Sequence, residues 1–441
     1  MIRIGLMAER NILTNRRAVL SGLGLSALVP ALPPRGVAAP APKAVSLRAT
    51  ATRIGLRPGQ PETPIWSLEG PNPGMPLRFN RGDEAEISLQ NDLPAPVALS
   101  LRGLNGNAAA EPLTARPPLG SGARTTLNVS LRQAGSFLCD IRLLADGAAA
   151  ARSLVLVVEG AGVIADRDEV FLFEDWRMRP NGTLLAPSAG PDNAESLFTV
   201  NGRIMPDIAV RSGERLRFRF VNGCQRQVIA VKVEGFDLRV MALDGQPSEP
   251  FLARNGALVL APGGRADALI DAMGAPGSSS AFLLHDGKRV RPAARLVTST
   301  EPPVPSRPLP AALPSNGLPT QLDLRNALRM ELPLSGSEWA LPATFAPSVP
   351  PAFRVKKGRV VVLAVTNPAA MATVFHLHGH HVRLLDRLDD GWKPYWLDTL
   401  AVEPGQTQRV AFLAEYAGRY LLESTATDWA APRLVRWYAV E

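Results

Sequence analysis

The sequence predicts an all-β protein of the β-sandwich class, and three observations carry that prediction. Segments such as Leu216-Arg217-Phe218-Arg219-Phe220-Val221 alternate apolar and charged residues with the period of two that a half-buried strand requires. Runs such as Val360-Val361-Val362-Leu363-Ala364-Val365 are short, apolar and β-branched, as strands buried on both faces are. Turns rich in Gly, Pro, Asn and Asp separate these segments, and no long helical period competes with them. The chain has 441 residues; without an N-terminal signal, about 400 remain, too many for one compact core and suited to three domains of about 130 each.

In chain order, residues 1–41 read as an export signal. Asn15-Arg16-Arg17-Ala18-Val19-Leu20-Ser21 is similar to the twin-arginine consensus, with Arg16 and Arg17 as its pair; an apolar run from Gly22 to Leu32 and small residues around Ala38 to Ala41 follow. The run is too short to span a bilayer. Gly22-x-Gly24-x-x-Ala27 matches a dinucleotide fingerprint only as a pattern, because no strand precedes it and export would remove it. The predicted address is the periplasm. Residues 42–160 form the first expected domain, Gly160-Ala161-Gly162 marks its end, and 161–300 form the second. The Pro-rich stretch Glu301 to Pro319 reads as a linker, and 320–441 form the third domain.

The formal charge is +8, and residues 1–41 hold five arginines against one glutamate, so the exported part carries only +4. Arginines are scattered and aromatics make up 6% of the chain, which excludes a basic, aromatic-lined nucleic-acid surface. No later stretch reaches the roughly twenty apolar residues of a membrane helix. An oxidising compartment would let Cys139 and Cys224 pair, whereas the place of Cys139 in an apolar strand favours a free core thiol.

Four of the five histidines crowd into Phe375-His376-Leu377-His378-Gly379-His380-His381. On an extended strand His376, His378 and His380 would share one face and His381 the other, so neighbouring imidazoles could share a metal. His285, His380 and His381 read as turn or edge residues, and no nucleophile elbow supports a Ser-His-Asp site.

Further motifs carry a resemblance. Pro73-Gly74-Met75-Pro76-Leu77-Arg78-Phe79-Asn80-Arg81-Gly82-Asp83, Asn91-Asp92-Leu93-Pro94, Val200-Asn201-Gly202, Asp244-Gly245-Gln246, Ala261-Pro262-Gly263-Gly264-Arg265-Ala266-Asp267, Leu397-Asp398-Thr399 and Pro404-Gly405-Gln406-Thr407 span the chain from about Ser46 to Glu441. Together they resemble the multicopper oxidases, laccases among them. The resemblance implies three cupredoxin-like Greek-key β-sandwich/barrel domains.

In that family four histidine-rich motifs, one with a cysteine, hold a blue copper and a trinuclear copper cluster. Carried over residue by residue, the resemblance puts Ser100 and Arg102 in the first motif's ligand places, and Asp140 and Arg142 in the second's. In the third, Thr373 stands for the blue-copper histidine while His376 and His378 keep two trinuclear positions. The fourth reads Glu423, Ser424 and Thr425, then Trp429 and Leu434. Thr373, Ser424, Trp429 and Leu434 offer neither imidazole nor sulfur, so no blue copper is expected. In the former trinuclear cavity we expect Arg102 and Arg142 to supply the positive charge, with Asp140 and Glu423 as bidentate partners and the histidines beside them.

The implied function is a non-catalytic periplasmic binding or scaffold protein, with no cofactor expected, or copper if any. Within the family the chain is similar to copper-free, twin-arginine-exported members that serve cell division, so another periplasmic or envelope protein is the expected partner. The alternatives are an oxidoreductase with an altered metal site built on His376, His378 and Glu423 or Asp140, and a subunit that borrows ligands from a neighbour.

Overall fold

Alternation and apolar runs become strands throughout. A computed structural model describes residues 41–162, 165–190, 193–305, 307–385 and 392–441. Arg16, Arg17 and the rest of the export signal up to residue 40 lie outside the described residues. Six sheets pair into three sandwiches, each with its own apolar core, so the fold is all-β and cupredoxin-like as expected.

The first sandwich joins a five-stranded sheet, in the order Arg124–Ser130, Glu84–Asn91, Lys43–Ile54, Thr63–Glu69, Ala151–Arg152, to a four-stranded one, Leu77–Asn80, Leu154–Glu159, Gly135–Asp140, Ser100–Arg102. Lys43–Ile54 runs parallel to Glu84–Asn91 and antiparallel to Thr63–Glu69, so the chain crosses between the sheets rather than meandering within one. Leu47, Ile87, Val129, Phe137 and Leu156 close its core.

The second sandwich has six strands facing five, with Phe171, Phe218, Phe220 and Phe282 at its centre; the Phe171 and Phe218 rings meet edge to face at 4.8 Å. Its strand Arg215–Asn222 shows where simple alternation misleads. Arg219 is fully buried rather than facing water, because Asp168, Asp267 and Glu159 all reach its guanidinium. Residues 301–319 hold no strand among the described residues, yet Asn316 fixes them by bonding Ala134 O at 2.8 Å and Gly245 O at 3.1 Å.

The third sandwich matters most for the site. Its second sheet runs Arg354–Val355, Arg433–Val440, Gly418–Ala426, Thr373–Leu377, Thr399–Val402. The apolar run 360–365 forms strand Val360–Thr366 in the other sheet, fully consistent with its buried character. No helix among the described residues is long and apolar enough to cross a membrane.

Candidate functional site

Register brings the singled-out residues together. Ser100 pairs with Asp140 and Arg102 with Leu138 across two first-sandwich strands, and His376 pairs with both Glu423 and Thr399 in the third. Where the sandwiches meet, Arg102 Nε donates to Asp140 Oδ2 at 3.0 Å, and its Nη2 donates to both oxygens of Glu423 at 2.7 and 2.6 Å. Arg142 grips the same Asp140 Oδ2 through Nη2 at 2.9 Å and sends Nη1 to the carbonyls of Gly223 and Cys224 at 2.7 and 3.0 Å. One cluster thus ties the first sandwich to both others. Gly103, next to Arg102 and with φ of 89°, makes room for a separate buried pair, Arg265 with Asp398, since a Cβ there would stand 2.3 Å from Arg265 Nη2.

Two members of this cluster were not legible as site residues. Arg433 Nη1 donates to Glu423 Oε2 at 2.5 Å, and Glu111 Oε1 lies 2.7 Å from His378 Nδ1. Arg433 sits one residue before Leu434, so a charge count extended by one position along that strand would have caught it. Glu111 follows a short 3-10 turn in the first sandwich, and nothing in its local sequence marks it.

The two conserved-place histidines differ sharply. His378 is buried between Glu111 and Glu423, whose Oε1 lies 2.8 Å from Nε2, so both ring nitrogens face carboxylates. Burial opposes its charge, yet these two carboxylates raise its pKa to about 9, leaving an imidazolium with both nitrogens donating. His376 Nδ1 meets Thr399 Oγ1 at 2.9 Å and Asp398 O at 3.1 Å, while its Nε2 has no partner. Burial, seconded by Arg102, lowers the His376 pKa to about 4, so this ring is neutral.

Burial alone would protonate Glu423, but Arg102, Arg433 and His378 hold it well below the usual carboxylate range. Asp140 is likewise held down, against burial, by Arg142 and Arg102. Burial also works against the charge on Arg102, and Glu423 and Asp140 overcome it, so the guanidinium stays protonated. A cavity of about 10 Å³, room for one water, is lined by Arg102, Arg142, His376, Glu423, Thr425 and Arg433. Ser100, paired with Asp140 across the strands, is buried and its Oγ has no partner.

The shared face expected for His376, His378 and His380 is corrected by the structure. The strand ends at Leu377, and Gly379 turns the chain with φ of 74°, its Cα packed against the Tyr420 ring. His380 therefore leaves the cluster and donates from Nδ1 to the Tyr438 hydroxyl at 2.7 Å, among Phe412, Tyr416 and Tyr420. His380 does stand in that turn, as the turn-or-edge reading has it, but neither it nor His381 is exposed. Both are buried, and His381 is held by Asn105 Oδ1 at 2.8 Å and Asp244 O at 2.9 Å. His285 is exposed at the end of strand Ser279–His285, its Nδ1 accepting from Gly287 N, which fits the edge reading.

Thr373, Ser424 and Leu434 form a neutral locus on the other face of the same strand, toward the third core. Thr373 Oγ1 donates to Asn367 Oδ1 at 3.1 Å, Ser424 Oγ donates to Leu334 O at 2.6 Å, and Leu434 packs on the third core. Trp429 turns to the second sandwich, donating to Ala186 O at 3.0 Å under the Arg177 guanidinium. Cys139 and Cys224 are both free and buried, so the possible disulfide is not formed, and burial raises both thiol pKa values.

Among the described residues no three His, Cys, Asp or Glu side chains converge as a metal-holding group. The donor set explains this: the imidazolium of His378 presents N–H groups, and guanidinium groups occupy the space between the carboxylates.

Comparison with known proteins agrees with this architecture. A multicopper oxidase from Pseudomonas thermotolerans superposes with a TM-score of 0.76 at 24% identity, covering 91% of this chain and all of that one. A bacterial laccase-like multicopper oxidase from Ochrobactrum sp. gives 0.72 at 17% identity, over 90% of this chain and 97% of its own. Laccase-4 of Thanatephorus cucumeris is 24% identical over 229 residues, 45% of this chain and only 43% of that enzyme. Multicopper oxidase family models match residues 50–139, 167–299 and 320–441 in turn, and the chain belongs to the multicopper oxidase family.

Proposed function

We propose that this chain is a copper-ligand-depleted multicopper oxidase that works, after twin-arginine export to the periplasm, as a non-catalytic binding or scaffold protein. Another envelope protein is its partner, in cell division or envelope stress. The observation that carries the reading is the ion network of Arg102, Glu423, His378 and Glu111, which uses both nitrogens of one of the two retained imidazoles. Copper requires deprotonated imidazole or thiolate donors. The residues present do not fit it: Thr373, Ser424 and Leu434 offer a hydroxyl pair and an alkyl group at the blue-copper place, and Arg102 and Arg142 stand where imidazoles would be needed.

A second reading, an oxidoreductase with one altered metal, draws on the unpartnered Nε2 of His376. Arg102, Arg142 and Arg433 line the same cavity. A divalent ion about 4 Å from one guanidinium is destabilised by roughly 8 kcal/mol at an effective dielectric near 20, more than one imidazole ligand recovers. The test is to grow cells with added copper, recover the protein from the periplasmic fraction, and measure its metal by elemental mass spectrometry beside a visible spectrum. The expected result is no stoichiometric metal and no blue absorption band. One tightly held copper or zinc per chain would overturn the reading in favour of the enzyme.

A further inference from the structure

We propose that the cavity where the first sandwich, the second sandwich and the 301–319 linker meet is a binding site for a small monocarboxylate with a compact apolar body. The site goes beyond the binding-protein reading above, since none of its residues stands in a former copper place.

The cavity measures about 420 Å³, within the range of small-molecule sites, and junctions between domains are where such sites tend to form. Ala134 and Gly135 come from the first sandwich, Ala242 and Gly245 from the second, and Leu313 and Pro314 from the linker. Small residues make the room. A Cβ on Gly135, whose φ is 152°, would stand 2.4 Å from Gly245 O, so the two sandwiches touch backbone to backbone beside the cavity. The linker wall is held as well. Asn316, two residues past Pro314, accepts from Ala134 N at 2.9 Å and donates to Ala134 O and Gly245 O. A cavity fixed from three sides needs little ordering to take a ligand.

Charge names the ligand class. Arg81 and Arg217 are the cations lining the cavity, and Glu159 is the anion. Around them Arg78, Arg217 and Arg219 are answered by Glu159, Asp168 and Asp267, three charges against three. Arg81 stands outside that balance. Its guanidinium donates to the carbonyls of Arg132 and Ser315, both at 3.0 Å, and no carboxylate bonds it among the described residues. Arg217 Nε is buried without a hydrogen-bond partner, Asp168 Oδ2 standing 3.8 Å away. One unanswered positive charge calls for a monoanion, whereas a phosphate monoester would bring nearly two negative charges. A carboxylate also matches the planar fork of a guanidinium. The alanine, proline and leucine walls suit an apolar body, and Arg81 is exposed, so the carboxylate faces the mouth while the body lies inward.

The test is isothermal titration calorimetry of the purified protein with naphthaleneacetate, beside naphthaleneacetamide, which has the same shape and no charge. The expected result is one saturable site for the acid and at least about tenfold weaker binding of the amide, the worth of a hydrogen bond to a charged group. Arg81→Gln should bring the acid down to the level of the amide and leave the amide unchanged, which a mere loosening of the fold would not do. Ala161→Trp, a change at an exposed lining residue, should remove both ligands and keep the wild-type unfolding midpoint. No binding of the acid up to millimolar concentration, equal binding of acid and amide, or undiminished binding of the acid by Arg81→Gln would each overturn the proposal. So would an equal loss of both ligands in Arg81→Gln, which would make that residue structural, or full binding of both by Ala161→Trp, which would put the site elsewhere. Should Ala161→Trp fail to fold, Arg81→Gln decides alone.

Discussion

The two faces of strand Thr373–Leu377 meet the problem of buried polar residues in opposite ways. On the face toward the third core, Thr373, Ser424 and Leu434 are neutral and are satisfied within one sandwich by single hydrogen bonds and core packing. Around His376 and His378, strand ends of three sandwiches converge, and the space holds Arg102, Arg142, Arg433, Asp140, Glu423 and Glu111. A hydroxyl can be satisfied by one carbonyl. A charge needs partners on several sides, and only a junction of several chain segments supplies them. The difference teaches that the charged face acts as a joint between domains, whereas the neutral face is ordinary core.

The largest effect should come from breaking the joint at Arg102. Arg102→Ala leaves Asp140 with Arg142 alone and takes both bonds of one guanidinium nitrogen from Glu423. Removing one partner of a buried pair costs about 3–5 kcal/mol, read in urea unfolding followed by tryptophan fluorescence. Pairing Arg102→Met with Glu423→Gln should cost clearly less than the two single changes added together, because neither partner is then left charged and alone. A cost below about 1 kcal/mol for Arg102→Ala would mean the joint is no different from the neutral face.

His378 sharpens the comparison through pH. Its folded pKa lies at about 9, above its ordinary 6.5, so its contribution is fully present below pH 6.5 and is lost as pH rises through about 9. That difference corresponds to roughly 3 kcal/mol. Unfolding free energies of wild type and His378→Gln, measured at a series of pH values, should therefore converge by about that amount on going from pH 6.5 to above pH 9. A constant gap would show that His378 is neutral in the fold and free to accept a proton or a ligand.

Much of this was readable from the sequence, and the unread part has a physical pattern. Strands such as Arg215–Asn222 and Val360–Thr366 announce themselves by local period and composition, which neighbours along the chain suffice to express. That Arg102 and Arg142 would face Asp140 and Glu423 was readable from motif positions alone, although Arg102 and Glu423 lie 321 residues apart. The buried Arg219 was not, because its partners come from other strands. Glu111 was not, because it stands in a loop outside every motif. The position of His380 depends on a single left-handed residue, Gly379, which turns the chain just after the strand has ended, three residues earlier than the period suggests.

The smallest effect should come from the neutral face, and it is the one that makes the larger ones interpretable. Ser424→Ala removes the 2.6 Å bond to Leu334 O and leaves that carbonyl unsatisfied in the core, a loss of about 1–2 kcal/mol. The loss should not change with pH between 5 and 9, since no ionisable group bonds Ser424 Oγ. Urea unfolding at three pH values checks this. A pH-dependent or much larger cost would mean that Ser424 is coupled to the Arg102 and Glu423 network through its neighbours on strand Gly418–Ala426, where Glu423 and Ser424 are adjacent and point to opposite faces. The two faces would then be one unit, and the division between joint and core would have to be given up.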